Sequence, residues 1–577
     1  MPSSFHPAQA MGRRLPNAWD AAAILCVMAL ILAFANVTPA TLEPIDAPHA
    51  LDISLDPSNL PNYALRTTMR MFAALAASLL FTFTFAPLAA KSRRGGLVMI
   101  PILDILQSVP ILGFLSFTTV FFMSLFPGKV VGLELAAIFA VFTSQAWNMA
   151  FSFYQSLTTL PADLSEATRS FRLTGWQRFW RLEVPFAMPG LVWNMMLSMS
   201  GGWFFVVAAE AITLGDKTWT LPGIGSYVAT ALDKRDMLAV FYAIVAMLVV
   251  IILYDQLMFR PLVAWAAKFR FEMVEGATAE DPWLLRILRR THVIRIAGDG
   301  FADLLARVTT LRLGGPAKAS RSAGAAAGSR VGDAVFGVVV AAVTAFALFE
   351  IVSYVVAARI GFGDLGITFE LGCFTLIRVV SMIGLATIIW VPAGVWLGLR
   401  PSWAQRIQVL AQFLAAFPAN LLFPIFVVVI VRFHLNADIF LTPLMILGTQ
   451  WYILFNVVAG ASAFPGDLRE VAKNFRVGGT LWWRKVILPG VFPYFVTGAI
   501  TASGGAWNAA IVSEVASWGD DKLSAHGLGA YIAHATDAGD FPRIVLGVAM
   551  MSLFVLTFNR LFWRPMYAYA TRRTSLG

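Results

Sequence analysis

Apolar runs of about 20 residues recur along the whole 577-residue chain and restrict its fold more than any other feature. A run of this length crosses the hydrocarbon core of a bilayer as a single helix. Only 13% of the residues are charged, whereas a soluble domain carries about 25%. The sequence therefore predicts an all-α polytopic membrane protein. About twelve candidate spans lie at 20–36, 65–88, 97–123, 132–157, 187–212, 237–258, 332–356, 373–399, 405–431, 437–460, 490–515 and 542–563.

The charges of the loops predict on which side of the bilayer each loop lies. Lys91, Arg93 and Arg94 follow the second span without an acidic residue among them, whereas segment 37–62 has acidic residues and no Lys or Arg. Because Lys and Arg are retained in cytoplasmic loops, we expect both termini to be cytoplasmic. The formal net charge of +10 is explained by this bias, so no nucleic-acid partner is predicted. No small-residue cleavage site follows the first apolar run, which we therefore expect to be a retained span.

Two copies of one sequence pattern divide the chain into halves. "DLSEATRSFRLTGWQRFWRLEVP" starts at residue 163 and "DLREVAKNFRVGGTLWWRKVILP" starts at residue 467, an offset of 304 (467 − 163), and the matches continue to Arg260 and Arg564. Counting spans one and seven, which precede the two repeated segments, each half contains six predicted spans, so the copies have the same orientation and form parallel repeats. The predicted domains are 1–62 (N-terminal tail, first span and periplasmic segment), 63–267 (first repeat, with a polar loop at 160–186), 268–330 (basic cytoplasmic linker), 331–372 (span seven and periplasmic segment) and 373–577 (second repeat, with a polar loop at 464–490).

Each polar loop is predicted to contain two short helices. In the first copy, Asp163 is placed to cap the first helix and Glu166 to complete a capping-box-like arrangement. Gly175 permits a sharp, left-handed turn between the helices, and Pro185 ends the second helix and opens the next span. The same roles fall in the second copy to Asp467, Glu470, Gly479 and Pro489.

At this point the sequence resembles a known family. "EATRSFRLTG" and "EVAKNFRVGG" are similar to the EAA loop of binding-protein-dependent ATP-binding cassette (ABC) importers. "GGWFFVVAAEAI" and "GGAWNAAIVSEVA" resemble segments of permeases in the nitrate, sulfonate and taurine branch. The resemblance covers about residues 65–267 and 373–570. It identifies the chain as a permease subunit with two fused permease domains, which forms the pathway of a small anion of nitrate, sulfonate or taurine type.

The resemblance also implies partners and a location. Each polar loop would be a coupling loop that docks on a separate ATPase, so two ATPase subunits on the cytoplasmic side are expected, with a periplasmic solute-binding protein. The expected location is the bacterial inner membrane. The implied coupling residues are Asp163, Glu166, Ala167, Phe171, Arg172, Gly175 and Pro185, and in the second copy Asp467, Glu470, Val471, Phe475, Arg476, Gly479 and Pro489.

Two alternatives at the coupling loops stay open. Glu166 and Glu470 either cap a helix or make a direct ionic contact with the ATPase. Val471 departs from the family alanine found as Ala167, which allows unequal affinity at the two docking sites.

The residues that would support chemistry on this chain are absent from the sequence. It contains no Gly-x-x-x-x-Gly-Lys-Ser/Thr for phosphate binding and no His-x-x-x-His. Its two cysteines, Cys26 and Cys373, both lie in apolar segments. The chain is therefore predicted not to be an enzyme and to hold neither a metal nor a cofactor, and ATP with Mg²⁺ is expected on the partner ATPase.

Ionisable residues within spans are costly and are candidate pathway residues. They line a cavity for a polar or anionic solute, pair with one another inside the membrane, or extend their charged ends to the outer interface. Helix breaks at proline within two equivalent spans are further candidates, because a break exposes backbone groups to a pathway. These candidates are Arg70, Asp104, Pro110, Glu210, Arg378, Pro418 and Glu514.

A secondary transporter of the major facilitator type is the main alternative, because it too has twelve spans in a parallel repeat. The Gly-x-x-x-Asp that should precede the basic residues of its loop is missing here. The repeated polar loop between spans four and five also has no counterpart in that class. Both observations favour the ABC permease.

Overall fold

The computed structural model describes most of both repeats. Residue 28 is described within the predicted first span, and most of the linker 268–330 lies outside the described residues. The described residues are 28, 43–45, 51–214, 217–269, 291, 300, 303–304, 306–313, 330–358, 360–400, 403, 410–411, 414–462, 464, 466–518 and 521–573.

Long apolar helices dominate the described residues. Eight are long and apolar enough to cross a membrane, and two bent helix pairs bring the number to as many as ten. Ten of the predicted spans coincide with these helices, and within the predicted span 405–431 the described part includes the shorter apolar helix Ala419–Arg432. The prediction of an all-α polytopic membrane protein is confirmed. The eight helices are Pro57–Lys91, Val130–Thr158, Gly175–Ala209, Met237–Ala266, Ala334–Tyr354, Phe362–Gly398, Gly479–Ser513 and Phe541–Ala570, and the bent pairs are Arg94–Gln107 with Ile111–Leu125 and Ala437–Leu447 with Gln450–Ser462.

The duplication seen in the sequence extends to the secondary structure. From the first polar loop onward, each element of the first repeat begins again 304 residues later (466 − 162). The first repeat contains Ala162–Ser170, Gly175–Arg178, Val184–Ala209, the strands Ala211–Leu214 and Lys217–Thr220, Ile224–Asp233 and Met237–Tyr254. The second contains Gly466–Asn474, Gly479–Trp482, Leu488–Ser513, the strands Val515–Trp518 and Asp521–Ser524, Leu528–Asp537 and Phe541–Phe558. Each strand pair is an antiparallel hairpin.

Prolines modify the long helices in a way that the sequence analysis predicted wrongly. Pro185 and Pro489 do not end a helix, since both lie inside the continuous helices Gly175–Ala209 and Gly479–Ser513. Each follows a π-helical segment by two residues, and the N–H of Val184 bonds to a carbonyl five residues back. A proline lacks an N–H and clashes with the carbonyl four residues back. The wider π turn accommodates the ring, so the helix continues.

The same arrangement occurs four times in the described part of the chain. The π-helical segments are Phe179–Glu183, Asp255–Phe259, Trp483–Ile487 and Asn559–Trp563. The prolines that follow them are Pro185, Pro261, Pro489 and Pro565.

The chain divides into two compact units. One contains residues 155–193 and 253–322 with the N-terminal 42 residues, and the other contains 43–154, 194–252 and 323–577. The larger unit has the main core, where Phe153, Trp203, Tyr227 and Trp507 are fully buried. Large side chains such as Leu80 and Ile388 remain exposed on its helices, which is expected of surfaces that face lipid.

Candidate functional site

The first polar loop, which we name the first coupling loop after its expected role, begins with the helix Ala162–Ser170. Its N-cap is Pro161, and no side chain caps it. The expectation that Asp163 caps this helix and that Glu166 completes a capping box is therefore wrong. Both carboxylates are exposed. Asp163 lies in the first turn, where its negative charge interacts favourably with the positive end of the helix dipole.

The turn after this helix is left-handed at Arg172 and not at Gly175. Arg172 has a φ of 49°. Its N–H bonds to the carbonyl of Arg169, and the N–H of Leu173 bonds to the carbonyl of Thr168. These two bonds define a Schellman motif, in which glycine is the usual left-handed residue. Gly175 instead starts the helix Gly175–Arg178, which Thr174 and Gln177 close with a reciprocal capping box.

The second coupling loop repeats the turn. Its helix is Gly466–Asn474, and Arg476 has a φ of 53°. The N–H of Arg476 bonds to the carbonyl of Lys473, and that of Val477 to the carbonyl of Ala472. Here Gly479 is also left-handed, with a φ of 58°. The loops therefore share the Arg turn and differ at the glycine.

The remaining coupling candidates of the second loop lie on its surface. Glu470 and Val471 are exposed, as Glu166 and Ala167 are in the first loop. The side chain of Asp467 lies outside the described residues.

An exposed phenylalanine directly follows the first helix of each coupling loop. Phe171 is 76% exposed and Phe475 is 78% exposed. Each immediately precedes the left-handed arginine, which is exposed as well. An aromatic side chain beside a fixed positive charge, presented twice by the same turn, forms a surface suited to a protein partner with an apolar pocket and acidic rim.

The ionisable candidates of the first repeat form one buried cluster. Arg70 donates from Nε and Nη2 to the two oxygens of Glu134 at 2.6 and 2.7 Å, and from Nη1 to Glu210 at 2.6 Å. Thr67 donates to Glu210 at 2.7 Å and accepts from the N–H of Ile224 at 3.0 Å. The charged side chains are all buried. This cluster ties the span Pro57–Lys91 to the end of Gly175–Ala209.

The second repeat has the equivalent cluster, which is more open. Arg378 donates to Glu514 at 3.0 Å and to Asp438 at 2.6 Å, and Thr375 donates to Glu514 at 2.9 Å. Asp438 also accepts from the N–H and approaches Nδ1 of His526, at 2.7 and 2.9 Å. Because the side chain of Asp438 is 35% exposed, this cluster reaches the surface whereas that of Arg70 does not.

Glycines at the start of the next helix make room for the buried glutamate. The N–H of Gly225 donates to Glu210 at 2.6 Å, so the carboxylate lies at the N-terminus of Ile224–Asp233, where backbone amides favour an anion. A Cβ at Gly223 would collide with this carboxylate. Gly527 leaves the same space for Glu514, which explains the repeated glycine pattern.

Sequence reasoning missed one carboxylate of each cluster. Glu134 and Asp438 are both acidic and lie 304 residues apart (438 − 134), so the repeat offset was the signal that could have found them. Of the alternatives for Arg70 and Arg378, the described contacts show pairing inside the protein, each guanidinium facing two carboxyl groups.

The predicted proline breaks lie at helix starts. Pro110 separates two helices that are bent by 102°, and Pro418 precedes the 3₁₀ helix Ala419–Leu422. The N–H of Ile111, which follows the first break, donates to the side-chain oxygen of Asn508 at 2.6 Å. Asn508 belongs to the second repeat, so it links the two repeats at this break and was not predicted. The side chain of Asp104 lies outside the described residues.

Fold and loops together define a duplicated helical membrane protein with an exposed coupling-type loop in each copy. The sequence family described as "binding-protein-dependent transport system inner membrane component" matches the chain twice, at residues 62–260 and 390–573. The chain belongs to this family, and the predicted fusion of two permease domains is confirmed.

Proteins similar to this chain include permeases of three transport systems. The bicarbonate transport system permease protein CmpB of Synechococcus elongatus is 28% identical over 186 residues, which is 32% of this chain and 64% of CmpB. The nitrate import permease protein NrtB of Leptolyngbya laminosa is 26% identical over 177 residues, 31% of this chain and 60% of NrtB. The glycine betaine/carnitine transport permease protein GbuB of Listeria monocytogenes is 29% identical over 198 residues, 33% of this chain and 63% of GbuB. The chain thus spans less than two thirds of the length of each of these relatives.

Proposed function

We propose that the chain is the membrane-spanning permease subunit of an ABC importer, with both permease domains in one polypeptide. The observation that carries this proposal is the paired coupling loop. Each copy has a nine-residue helix, a left-handed arginine and an exposed phenylalanine. A loop that only connects two spans does not require an exposed aromatic residue. It also gives no reason for the same residue to be exposed in the same geometry in both copies.

The long helices connect the coupling loops to the buried clusters. Gly175–Ala209 starts in the first loop and is followed directly by Glu210, and Gly479–Ser513 is followed directly by Glu514. A displacement of a loop by a closing ATPase would move such a helix as a rigid body and would be transmitted to its other end. The two clusters would hold that end against Pro57–Lys91 in the first repeat and against Phe362–Gly398 in the second, so that each repeat moves as one piece.

The partners of this assembly follow from the same proposal. Two ATPase subunits, which supply ATP and Mg²⁺ binding, would dock on the cytoplasmic side, and a periplasmic solute-binding protein would deliver the solute. The chain would lie in a bacterial inner membrane with both termini in the cytoplasm. ATP hydrolysis would take place on the ATPase and not on this chain.

The proposed solute is a small anion of the nitrate, sulfonate or taurine type. Relatives named for bicarbonate and nitrate transport support an anion. Arg70 and Arg378 each face two carboxyl groups, so they would not attract an anion by themselves. We therefore propose that recognition of the anion rests mainly on the solute-binding protein and on polar groups at the helix breaks near Pro110 and Pro418.

The experiment that tests this function uses proteoliposomes. The chain is reconstituted with its co-purified ATPase and binding protein, and uptake of labelled nitrate, bicarbonate, taurine and glycine betaine is measured. We expect uptake of an anion that requires ATP and persists when ion gradients are collapsed by ionophores. Uptake by the chain alone, driven by an ion gradient without ATP, would instead identify a secondary transporter of the major facilitator type.

A further inference from the structure

The end of the central linker contacts the first coupling loop directly. Residues 303–310 form a helix, apart from residue 305, which is not described; we name it the linker helix. Trp176 donates from Nε1 to the carbonyl of Val308 at 2.9 Å, and Gln177 donates from Nε2 to the carbonyl of Thr310 at 2.8 Å. The last carbonyls of a helix have no partner within it, so the two loop side chains cap the linker helix.

The same glutamine organises the loop itself. The Oε1 of Gln177 accepts from the N–H of Thr174 at 3.1 Å, and the N–H of Gln177 donates to the hydroxyl of Thr174 at 3.3 Å. Both side chains are buried. The side-chain amide of Gln177 therefore stabilises the turn within the loop and also binds the linker helix. The position of the linker helix is thereby fixed relative to the loop.

The second coupling loop lacks the residues for such a contact. The positions equivalent to Thr174, Trp176 and Gln177 are Gly478, Thr480 and Leu481. Gly478 provides no side-chain cap, and Leu481 has no side-chain amide that could donate a hydrogen bond. Within the described part of the chain, the arrangement that holds the linker is confined to the first loop.

The linker helix presents an apolar strip with basic neighbours. Leu304 and Val308 are four residues apart, which places them on one side of the linker helix, and Leu311 follows directly after its last residue; all three are exposed. Arg307 and Arg312 beside them are also exposed. Phe171 and Arg172 combine apolar and basic character in the same way at the tip of the loop to which this helix is fastened.

We propose that the linker helix and the first coupling loop form one composite docking surface for a single ATPase subunit, whereas the second coupling loop docks its ATPase alone. This inference rests on the proposed function. The occupant is an ATPase subunit because the linker helix is hydrogen-bonded to the first coupling loop. The apolar strip and its basic neighbours also have the same chemistry as the exposed residues of that loop. The two ATPase positions of the fused chain are therefore not equivalent, and the first has the larger contact.

The test measures protection of single cysteines by the ATPase. Cys26 and Cys373 are replaced by serine, and one cysteine is introduced at a time through Ser170→Cys or Asn474→Cys, at exposed positions beside the two phenylalanines, or through Leu311→Cys. The full chain is placed in nanodiscs of phosphatidylethanolamine and phosphatidylglycerol, and labelling by a charged maleimide is followed. The probe is the ATPase subunit that co-purifies with the chain, identified, purified separately and added back.

We expect the ATPase to slow labelling at all three positions. Protection at 170 and 474 with unchanged labelling at 311 would overturn the composite surface and leave the proposed function intact. Labelling unchanged at all three positions would contradict the proposed function itself. If residue 311 reacts in detergent but is protected in nanodiscs before ATPase is added, the strip lies on lipid and the inference is wrong.

A second variant separates the linker contact from the loop. Trp176→Phe with Gln177→Glu removes both hydrogen bonds to the linker helix and keeps a side-chain acceptor for the N–H of Thr174, and Leu481→Glu is the matched change at the position equivalent to Gln177. We expect the ATPase concentration for half-maximal protection at residue 170 to rise roughly tenfold in the double variant, because two neutral hydrogen bonds are lost. Little change is expected at residue 474, and none at 170 for Leu481→Glu. An equal rise at 170 and 474 would show that the linker does not distinguish the two sites.

Discussion

The two buried arginines should differ in how much the fold depends on them. In Arg70→Gln, the carboxyl groups of Glu134 and Glu210 lose the guanidinium that they share. Three hydrogen bonds of 2.6 to 2.7 Å are lost with it. Glu134 has only 9% of its side chain exposed, and that of Glu210 is fully buried. Removing one partner of a buried ion pair costs about 3 to 5 kcal/mol, and we expect a loss of stability in this range.

Arg378→Gln should cost less. It removes two hydrogen bonds, of 2.6 and 3.0 Å. Asp438 is 35% exposed and keeps its contacts with His526, so water and the histidine compensate part of the loss. We expect a cost of about 1 to 3 kcal/mol, the range for a hydrogen bond to a charged group or an unsatisfied partner.

The assay is thermal unfolding of the detergent-solubilised chain, compared as midpoints. Arg70→Gln should have the lower midpoint, and Arg70→Gln with Glu134→Gln should recover part of the loss, because one buried charge is then removed. Equal midpoints for the two single variants, or no recovery in the double variant, would refute the reasoning. If Arg378→Gln keeps wild-type stability and loses affinity for the anion, Arg378 serves the solute and the pairing account is wrong for the second repeat.

Three further predictions concern the loops and the division of labour. The chain purified alone should show no ATP hydrolysis, because it has no phosphate-binding loop; turnover in a preparation free of other ATPases would contradict this. Gly175→Pro should keep ATPase binding, since proline is favoured at the first position of a helix, whereas Gly479→Pro should lose it, since proline cannot adopt a φ of 58°; co-purification of the ATPase decides, and the opposite order would count against the turn geometry. Pro185→Ala and Pro489→Ala should leave the thermal midpoint unchanged or raised, because a proline in a helix costs about 3 kcal/mol. ATP-driven uptake by these two variants should fall. Without the proline the π segment can become a regular α-helix, and a shift of the helix by one residue rotates the attached loop by about 100°. Pro189→Ala, inside the same helix without a π segment, is the control, and unchanged uptake in the first two variants would sink this explanation.

The repeat offset made much of the fold predictable from the sequence. Because the two copies align without a gap after residue 163, each helix assigned in one copy supports its counterpart in the other. The same rule, applied to every acidic residue, would have revealed Glu134 and Asp438. These residues escaped notice because each lies near the start of an apolar helix and resembles an ordinary helix-terminal charge.

Features that depend on unusual backbone geometry could not be predicted. Propensity places glycine at a left-handed helix end, and the chain uses Arg172 and Arg476 there instead. A proline in a helical pattern predicts a break, and Pro185 is accommodated by a π turn. The contact of Gln177 with Thr310 joins residues 133 positions apart, and nothing local in the sequence announces it.

The number of ATPase subunits bound by one chain tests the central claim most directly. The mass of the purified complex, measured by native mass spectrometry in the absence of nucleotide, should correspond to one permease chain with two ATPase subunits. Phe171→Asp and Phe475→Asp should each reduce the complex to one ATPase, and the double variant should bind none. A wild-type complex with a single ATPase, or two ATPases retained in the double variant, would contradict the account that each exposed loop docks one subunit.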